Sequence, residues 1–420
     1  MSKFYDVLRR RNFFLLFLGQ IISQIGDRLD QMALIALVYA RAPGSTMQIA
    51  KILSFTIIPV FLIGPIAGVY VDRWDRRRTM YVCDLLRSVL VLLIPLFLLY
   101  TKNLLPIYLI IFIVFSIGRF FVPAKLAIVP DLVDSKDLLL ANSLVNTTGM
   151  IAAILGFGVS GVIVEKLGAV GGFYLDALSF FISGALIFFI AKKAKSNINI
   201  KRFSKEIVEV ISKSVLQEVK DGFLYFFKKS DIRFTAGIMF FLSSALGAVY
   251  VVIIVFIQNT LGSATKDLGL LVMFLGFGLF LGSVIYGRFG QKFSHYKVIF
   301  ISLILCGIML VIFALGIQNY PFFWTAALLA LALGIFVSPI MIASNTIIHK
   351  VSDNAMMGKI FSSLEIVMHL GFILFMFLSS FIAERIPQVY ILVAVGIAFG
   401  ILGAVNLIWH RRIQWLERIA

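Results

Sequence analysis

Apolar residues along this chain come in runs of about twenty to thirty, separated by short polar turns, and the runs recur from one end of the sequence to the other. A hydrocarbon core about 30 Å thick needs about 20 apolar residues of helix, so each run predicts one membrane-crossing helix. The runs fall near 13–40, 47–71, 79–100, 104–127, 141–165, 170–191, 233–260, 267–288, 297–317, 321–347, 357–384 and 387–410, twelve in all. The one long polar interruption, 192–232, leaves six runs on either side. The pattern therefore predicts an all-α membrane protein with an N-terminal six-helix bundle at 1–191, a linker at 192–232 and a C-terminal six-helix bundle at 233–420. Within the linker Ile207, Ile211, Val215, Val219 and Phe223 recur at helical spacing beside Lys205, Glu206, Lys213, Glu218, Lys220 and Asp221. That predicts an amphipathic helix on the inner membrane face.

Composition agrees with this picture. Hydrophobic residues make up 60% and charged residues 14%, with a mean hydropathy of +1.01, outside the profile of a soluble domain. Charge adds orientation. Of the 38 lysines and arginines, most fall on the segments that share a side with the N-terminus, while Arg28, Arg87 and Arg119 lie inside predicted spans. By the positive-inside rule both termini are expected in the cytoplasm and the chain in the plasma membrane. The net charge of +17 then orients the protein and favours anionic lipid on the cytoplasmic side, without a nucleic-acid partner. Cys83 and Cys306 lie far apart within spans and predict small core residues rather than a disulfide or metal site. No metal, no cofactor and a monomeric state are expected. The apolar stretch after Lys3, Arg9, Arg10 and Arg11 is too long for a signal-peptide core and reads as an uncleaved first span.

The two halves echo each other. Phe120-Phe121-Val122-Pro123 returns as Phe336-Val337-Ser338-Pro339, and Gly64 to Arg78 returns more weakly as Gly278 to Lys292, with Tyr286 in place of Asp72. Internal repeats of this kind are common in transporters.

The stretch from Gly68 through Asp72, Arg73, Trp74, Asp75, Arg76, Arg77 and Arg78 resembles the loop between helices 2 and 3 of the major facilitator superfamily of secondary transporters. Asp75 departs from the glycine usual at the tip of that turn. Gly64-Pro65-Ile66-Ala67-Gly68, Asp84-Leu85-Leu86-Arg87, Phe121-Val122-Pro123-Ala124, Pro130-Asp131-Leu132-Val133, Ala141-Asn142-Ser143-Leu144 and Asp176-Ala177-Leu178-Ser179-Phe180 are similar to the bacterial macrolide-efflux and enterobactin-exporter branch. The resemblance implies the major facilitator fold and export of amphipathic small molecules, macrolide-like drugs or siderophores, driven by a proton gradient. It also implies a cytoplasmic gate at Gly68, Asp72, Arg73, Arg76, Arg77 and Asp131. There Asp72 would rest at the helix start near Ser352, Asp353 and Asn354, and Arg73 and Arg77 would pair with acids such as Asp131. The span-5 antiporter pattern is degraded to Gly156-Phe157-Gly158-Val159-Ser160-Gly161. Lipid or lysolipid translocation and solute uptake are the alternative activities.

Ionisable groups inside spans are expensive and mark functional sites. Gln20, Gln24, Asp27 and Gln31 share one face of the first helix, flanked by Ser23 and Asp30, and predict a polar stripe lining a central cavity. Asp27, about 22 Å along the helix, is the leading proton-coupling candidate. The alternative is an ion pair with Arg28 or Arg119. Asp30 is expected nearer the outer end, either hydrated or a second proton-coupling or substrate group. Arg119 in span 4 requires a carboxylate, backbone oxygens or an anionic substrate group. Asp84 and Arg87, three residues apart, read as a local ion pair. Glu365 and His369 share a face of span 11 and suit proton carriage, a cationic ligand or a packing hydrogen bond. Phe120, Phe121 and Phe336 read either as cavity lining or as packing residues. The His-Glu-x-x-His, Gly-x-Ser-x-Gly and Walker patterns of enzymes are absent from the sequence, so a transporter rather than an enzyme is expected.

Overall fold

In lipid a backbone amide finds no water, so an apolar run must satisfy its own hydrogen bonds, and a helix does so within one segment. The computed structural model describes residues 4–64, 67, 74–100, 103–191, 230–352 and 357–419, and among these the regular structure is helical throughout. The helices are α1 (Phe4–Leu8), α2 (Arg11–Arg41), α3 (Thr46–Leu62), α4 (Arg76–Tyr100), α5 (Leu105–Leu132), α6 (Leu138–Phe188), α7 (Ser230–Leu261), α8 (Lys266–Phe289), α9 (His295–Asn319), α10 (Phe323–Val351), α11 (Met357–Ala383) and α12 (Gln388–Ile419). Nine helices among the described residues are long and apolar enough to cross a membrane, which makes this a multi-pass membrane protein. Neither α2, with its polar stripe, nor the 17-residue α3 is among the nine. The 51-residue α6 is two limbs joined at Gly168, whose φ of 72° breaks the helical path. The sequence places two runs there, 141–165 and 170–191, and the glycine supplies the backbone conformation that separates them. The amphipathic linker helix, Gly68, Asp72, Arg73, Asp353 and Asn354 lie outside the described residues.

The chain divides into two compact units, one made of Met1–Arg41 and Lys51–Val215, the other of Ala42–Ala50 and Leu216–Ala420. In the first unit α2 lies along α6 on a seam of small residues. A Cβ at Gly19 would stand 3.3 Å from Ser183 Oγ, one at Gly26 would collide with Ser179 Oγ, and one at Gly172 would come within 2.8 Å of Ala33 Cβ. Small residues at heptad spacing let two membrane helices approach without the aid of a hydrophobic effect between them. An apolar core of Phe13, Leu16, Met80, Cys83, Phe121, Ala124, Val145 and Ile187 closes one end of this unit. The second unit has its own core around Leu242, Ile299, Leu303, Cys306, Ile340 and Ala343. Both cysteines are buried and free.

Candidate functional site

Four buried or half-buried carboxylates gather round one guanidinium in the first unit. Helix α2 contributes Asp27 and Asp30, α4 contributes Asp84 and Arg87, and the second limb of α6 contributes Asp176. Arg87 donates from Nη2 to Asp27 Oδ1 and lies 3.5 Å from Asp84 Oδ1 through Nη1. Its guanidinium also sits over the Phe180 ring, 3.8 Å from the centroid. Ser183 donates to Asp84 Oδ2 at 2.6 Å, and Ser179 lies 3.4 Å from Asp176 Oδ1. Asp84 and Asp176 are fully buried and Asp30 is 2% exposed, while the Asp27 side chain keeps 31% of its surface. Lys125 on α5 is within electrostatic reach of Asp27.

The local sequence explains why these groups meet. Asp27 and Asp30 are three residues apart, as are Asp84 and Arg87, so each pair occupies one helix face. Gly26 has no side chain to hold α6 away, which is why Ser179 and Asp176 reach the face of α2 that carries Asp27 and Asp30. Gly118 on α5 faces Arg87, where a Cβ would be 3.7 Å from Cζ, an ordinary contact. An isolated charge in such a place costs several kcal/mol, about, and a hydrogen-bonded partner offsets it. Yet one arginine and one lysine cannot balance four carboxylates. Of the four, Asp27 is the most open, with 31% of its side chain exposed.

Several expectations change here. Asp27 pairs with Arg87, not with Arg28 or Arg119, because the long Arg87 side chain reaches from α4 to the flank of α2 that carries Asp27. Arg87 is accordingly more than the local partner of Asp84. Asp30 is buried rather than hydrated, since α6 covers it. Gln20 is 1% exposed and accepts from Gln24 Nε2 at 3.3 Å, so the lower part of the polar stripe is packed rather than open. Gln31 Oε1 accepts from Arg28 at 3.2 Å. Arg119 is half-buried on α5. Asp176, the fourth acid, is missed by the sequence reading, which treats it only as part of a family motif. Its signal was available, as an acid inside an otherwise apolar span.

Among the residues expected at a gate, Asp131 is held by Arg76 at 2.9 Å, which also donates to Ala127 O at 2.8 Å. Arg77, expected on Asp131, instead donates to the carbonyls of Phe188 and Ile187 at the end of α6 and faces the rings of Phe188 and Tyr81. The one-residue difference between 76 and 77 turns the side chain by about 100° on the helix, from α5 to α6. Trp74 stacks on Phe120 at 5.7 Å, and Phe121 is core rather than cavity lining. In the second unit Glu365 is exposed and His369 Nδ1 bonds the Glu365 backbone oxygen at 2.8 Å. The two therefore meet through the helix backbone, not through their side-chain charges.

Asp27, Asp30, Asp84, Arg87 and Asp176 all lie within long helices of one unit. Residues 2–407 match the family described as transmembrane secretion effector, a branch of the major facilitator superfamily, and the chain belongs to that family. It is 28% identical over 366 residues to the MFS-type transporter YkuC of Bacillus subtilis (strain 168), covering 84% of this chain and 81% of that protein. Macrolide efflux protein A of Streptococcus pyogenes is 24% identical over 89% of this chain and 90% of its own length. The putative bacilysin exporter BacE of Bacillus subtilis (strain 168) is 24% identical over 83% and 82%. Among solved structures the fold is similar to the nucleoside transporter NupG, with a TM-score of 0.71 at 13% identity over 94% of this chain and 97% of that one. A bacterial homologue of the iron transporter ferroportin gives 0.69 at 14% identity over 94% and 98%. The chain is thus an MFS transporter with efflux proteins among its relatives.

Proposed function

We propose that this protein exports amphipathic small molecules across the plasma membrane in exchange for protons, by alternating access of a twelve-span carrier whose termini both lie in the cytoplasm. The similarity to macrolide efflux protein A and to the putative bacilysin exporter BacE supports the direction. The observation that carries the coupling is the Arg87 nest, in which a half-open Asp27 is bound to a buried guanidinium that has a second carboxylate, Asp84, close by. When Asp27 takes a proton it loses its charge and most of its hold on Arg87, whose fork then turns to Asp84. Loss of that proton restores the first pair. The two pairings form a bistable element that protonation biases.

The test uses inverted vesicles from cells overproducing the protein, energised so that the lumen is acidic and followed with a pH-sensitive dye. Erythromycin, a macrolide, and a catecholate siderophore are added in turn, and at least one is expected to dissipate the gradient with wild-type protein. Asp27→Asn, which keeps the side chain's size, is expected to cut that rate by at least about tenfold. An unchanged rate in Asp27→Asn removes the coupling role. Passage of fluorescent lysolipid across proteoliposomes, with neither small molecule moved, replaces export by lipid translocation.

A further inference from the structure

One base inside the first unit has no acid. Arg28 follows Asp27 on α2, about 25 Å along the helix from Arg11, yet no carboxylate lies within salt-bridge distance of it among the described residues. Asp27 is next to it in sequence but turned about 100° away, towards Arg87. The Arg28 guanidinium is instead seated on neutral groups. Its Cζ stands 4.7 Å from the centroid of the Phe157 ring, Nη1 donates to Gln31 Oε1 at 3.2 Å, and Nε has no acceptor. The seat is shaped for it: a Cβ at Gly156 would come within 3.1 Å of Arg28 Cγ, so the glycine leaves space for the stem and the next residue supplies the aromatic face. Gly156 and Phe157 open the segment where the antiporter pattern is degraded, and holding this arginine is what that segment does here.

Guanidinium stays charged at any physiological pH. An aromatic face and one amide oxygen orient it, but they leave its charge and most of its five donors unmatched. The side chain is half-buried, so one side remains open. A second observation points the same way. Of the ionisable groups that lie well inside the helices of this unit, Asp30, Asp84, Asp176 and Arg87 are closed off, whereas one acid, Asp27, and three bases, Arg28, Arg119 and Lys125, are half-buried. The charge that the unit offers to a visitor is chiefly positive, although its total is rich in acids.

We infer that Arg28 binds the acidic head group, carboxylate or phosphate, of an amphipathic substrate, with Phe157 and Gln31 fixing the orientation of the guanidinium fork. The inference rests on the transport reading above and narrows it, from amphipathic molecules in general to anionic ones, and so to an acidic siderophore-like substrate over a basic macrolide-like one.

Three probes with the same twelve-carbon tail test it, titrated into purified protein in phosphatidylcholine nanodiscs. N-lauroylglutamate is a free amphipathic acid, lauroyl lysophosphatidylglycerol a lipid phosphate, and dodecyltrimethylammonium a cation. Wild type is expected to bind at least one anion about tenfold more tightly than the cation, and Arg28→Gln to lose about tenfold of that affinity, with the cation unaffected. Arg28→Lys keeps the charge without the fork and falls between. Binding of lysophosphatidylglycerol alone identifies a lipid head group, and binding of lauroylglutamate alone a free acid; both support the site. Tighter binding of the cation by wild type overturns it without recourse to any variant, as does undiminished anion binding by a folded Arg28→Gln. If vesicles drive proton-dependent flux of the cation and no anion binds, the Arg28 site falls and the transport reading stands. Anion binding without proton-dependent flux of any probe does the reverse.

Discussion

The glycines of the two units do different work. In the first unit Gly19, Gly26 and Gly156 each leave space for a polar side chain, Ser183, Ser179 and Arg28 respectively, and Gly118 faces Arg87. In the second, Gly278 and Gly334 bring the backbones of α8 and α10 together, Gly307 and Gly396 do so for α9 and α12, and Gly247 lies against the backbone of Phe372. Gly118 and Gly334 stand at matching positions of the two halves, two residues before Phe120 and Phe336. The same glycine thus faces a guanidinium in one half and a neighbouring helix backbone in the other. In the second unit Glu365 and His369 are the ionisable groups in the body of α11; Glu365 is exposed, and His369 bonds the Glu365 backbone oxygen. A repeat that lost its interior charges could close its helices onto each other. The half that kept them had to leave room for each polar group and satisfy it, which is where a proton-sensitive element can reside.

Removing the guanidinium breaks this contrast most severely. Arg87→Leu leaves Asp27 and Asp84 without their base, and loss of one partner of a buried pair costs about 3–5 kcal/mol. A large fall in the thermal midpoint of the purified protein in detergent is the expected result. Replacing the four acids round Arg87 as well, with Asp27→Asn, Asp30→Asn, Asp84→Asn and Asp176→Asn, is expected to recover much of the loss, since no buried carboxylate of the nest is then left without its base. A midpoint for Arg87→Leu within a degree or two of wild type would show that the nest is not held by its charges.

The glycine pair sharpens the contrast. Gly334→Ala puts a methyl 2.2 Å from Leu275 O, a clash with backbone that repacking cannot relieve, and overpacking of this kind costs about 1–3 kcal/mol. Gly118→Ala meets Arg87 at 3.7 Å, an ordinary contact, and alanine is up to about 1 kcal/mol better than glycine in a helix. The same substitution at equivalent positions is expected to lower the thermal midpoint in one half and to leave it unchanged or raise it in the other. Equal effects would mean that the two positions are packed alike.

How far the sequence disclosed all this follows from what each feature depends on. Helix positions rest on runs of apolar residues, which are local, and nine span-length apolar helices among the described residues fall on those runs. The polar stripe of α2 and the i,i+3 pairing of Asp84 with Arg87 are local too. What the sequence did not disclose is which helix faces which. The Asp27–Arg87 pair joins residues 60 apart, and Asp176 comes still later in the chain. Gly26, whose missing side chain brings α2 to Ser179 and Asp176, looks in the sequence like any other membrane glycine. The switch from Arg77 to Arg76 as the partner of Asp131 has the same origin, a rotation of α4 that no local pattern records.

The smallest effect concerns Asp75, the residue that departs from the family's loop. Its Oδ1 accepts the backbone N–H of Arg78 at 2.9 Å, and its backbone oxygen accepts from Thr79 Oγ1 at 2.9 Å, so it caps the start of α4. An acid here also lies at the positive end of the helix dipole, next to three arginines. Replacing an N-cap aspartate by alanine costs about 1 kcal/mol, whereas glycine costs only a few tenths. Asp75→Ala is therefore expected to lower the thermal midpoint by a degree or more and Asp75→Gly to be nearly silent, because glycine reaches the cap backbone conformation with little strain and leaves the first amide groups open to water. The first unit then tolerates either residue at this turn for a physical reason, and the departure from the family's glycine leaves the start of α4, and the placing of Arg76 and Arg77 on it, intact. An Asp75→Gly loss as large as that of Asp75→Ala would mean that the carboxylate acts on the neighbouring arginines rather than on the helix end.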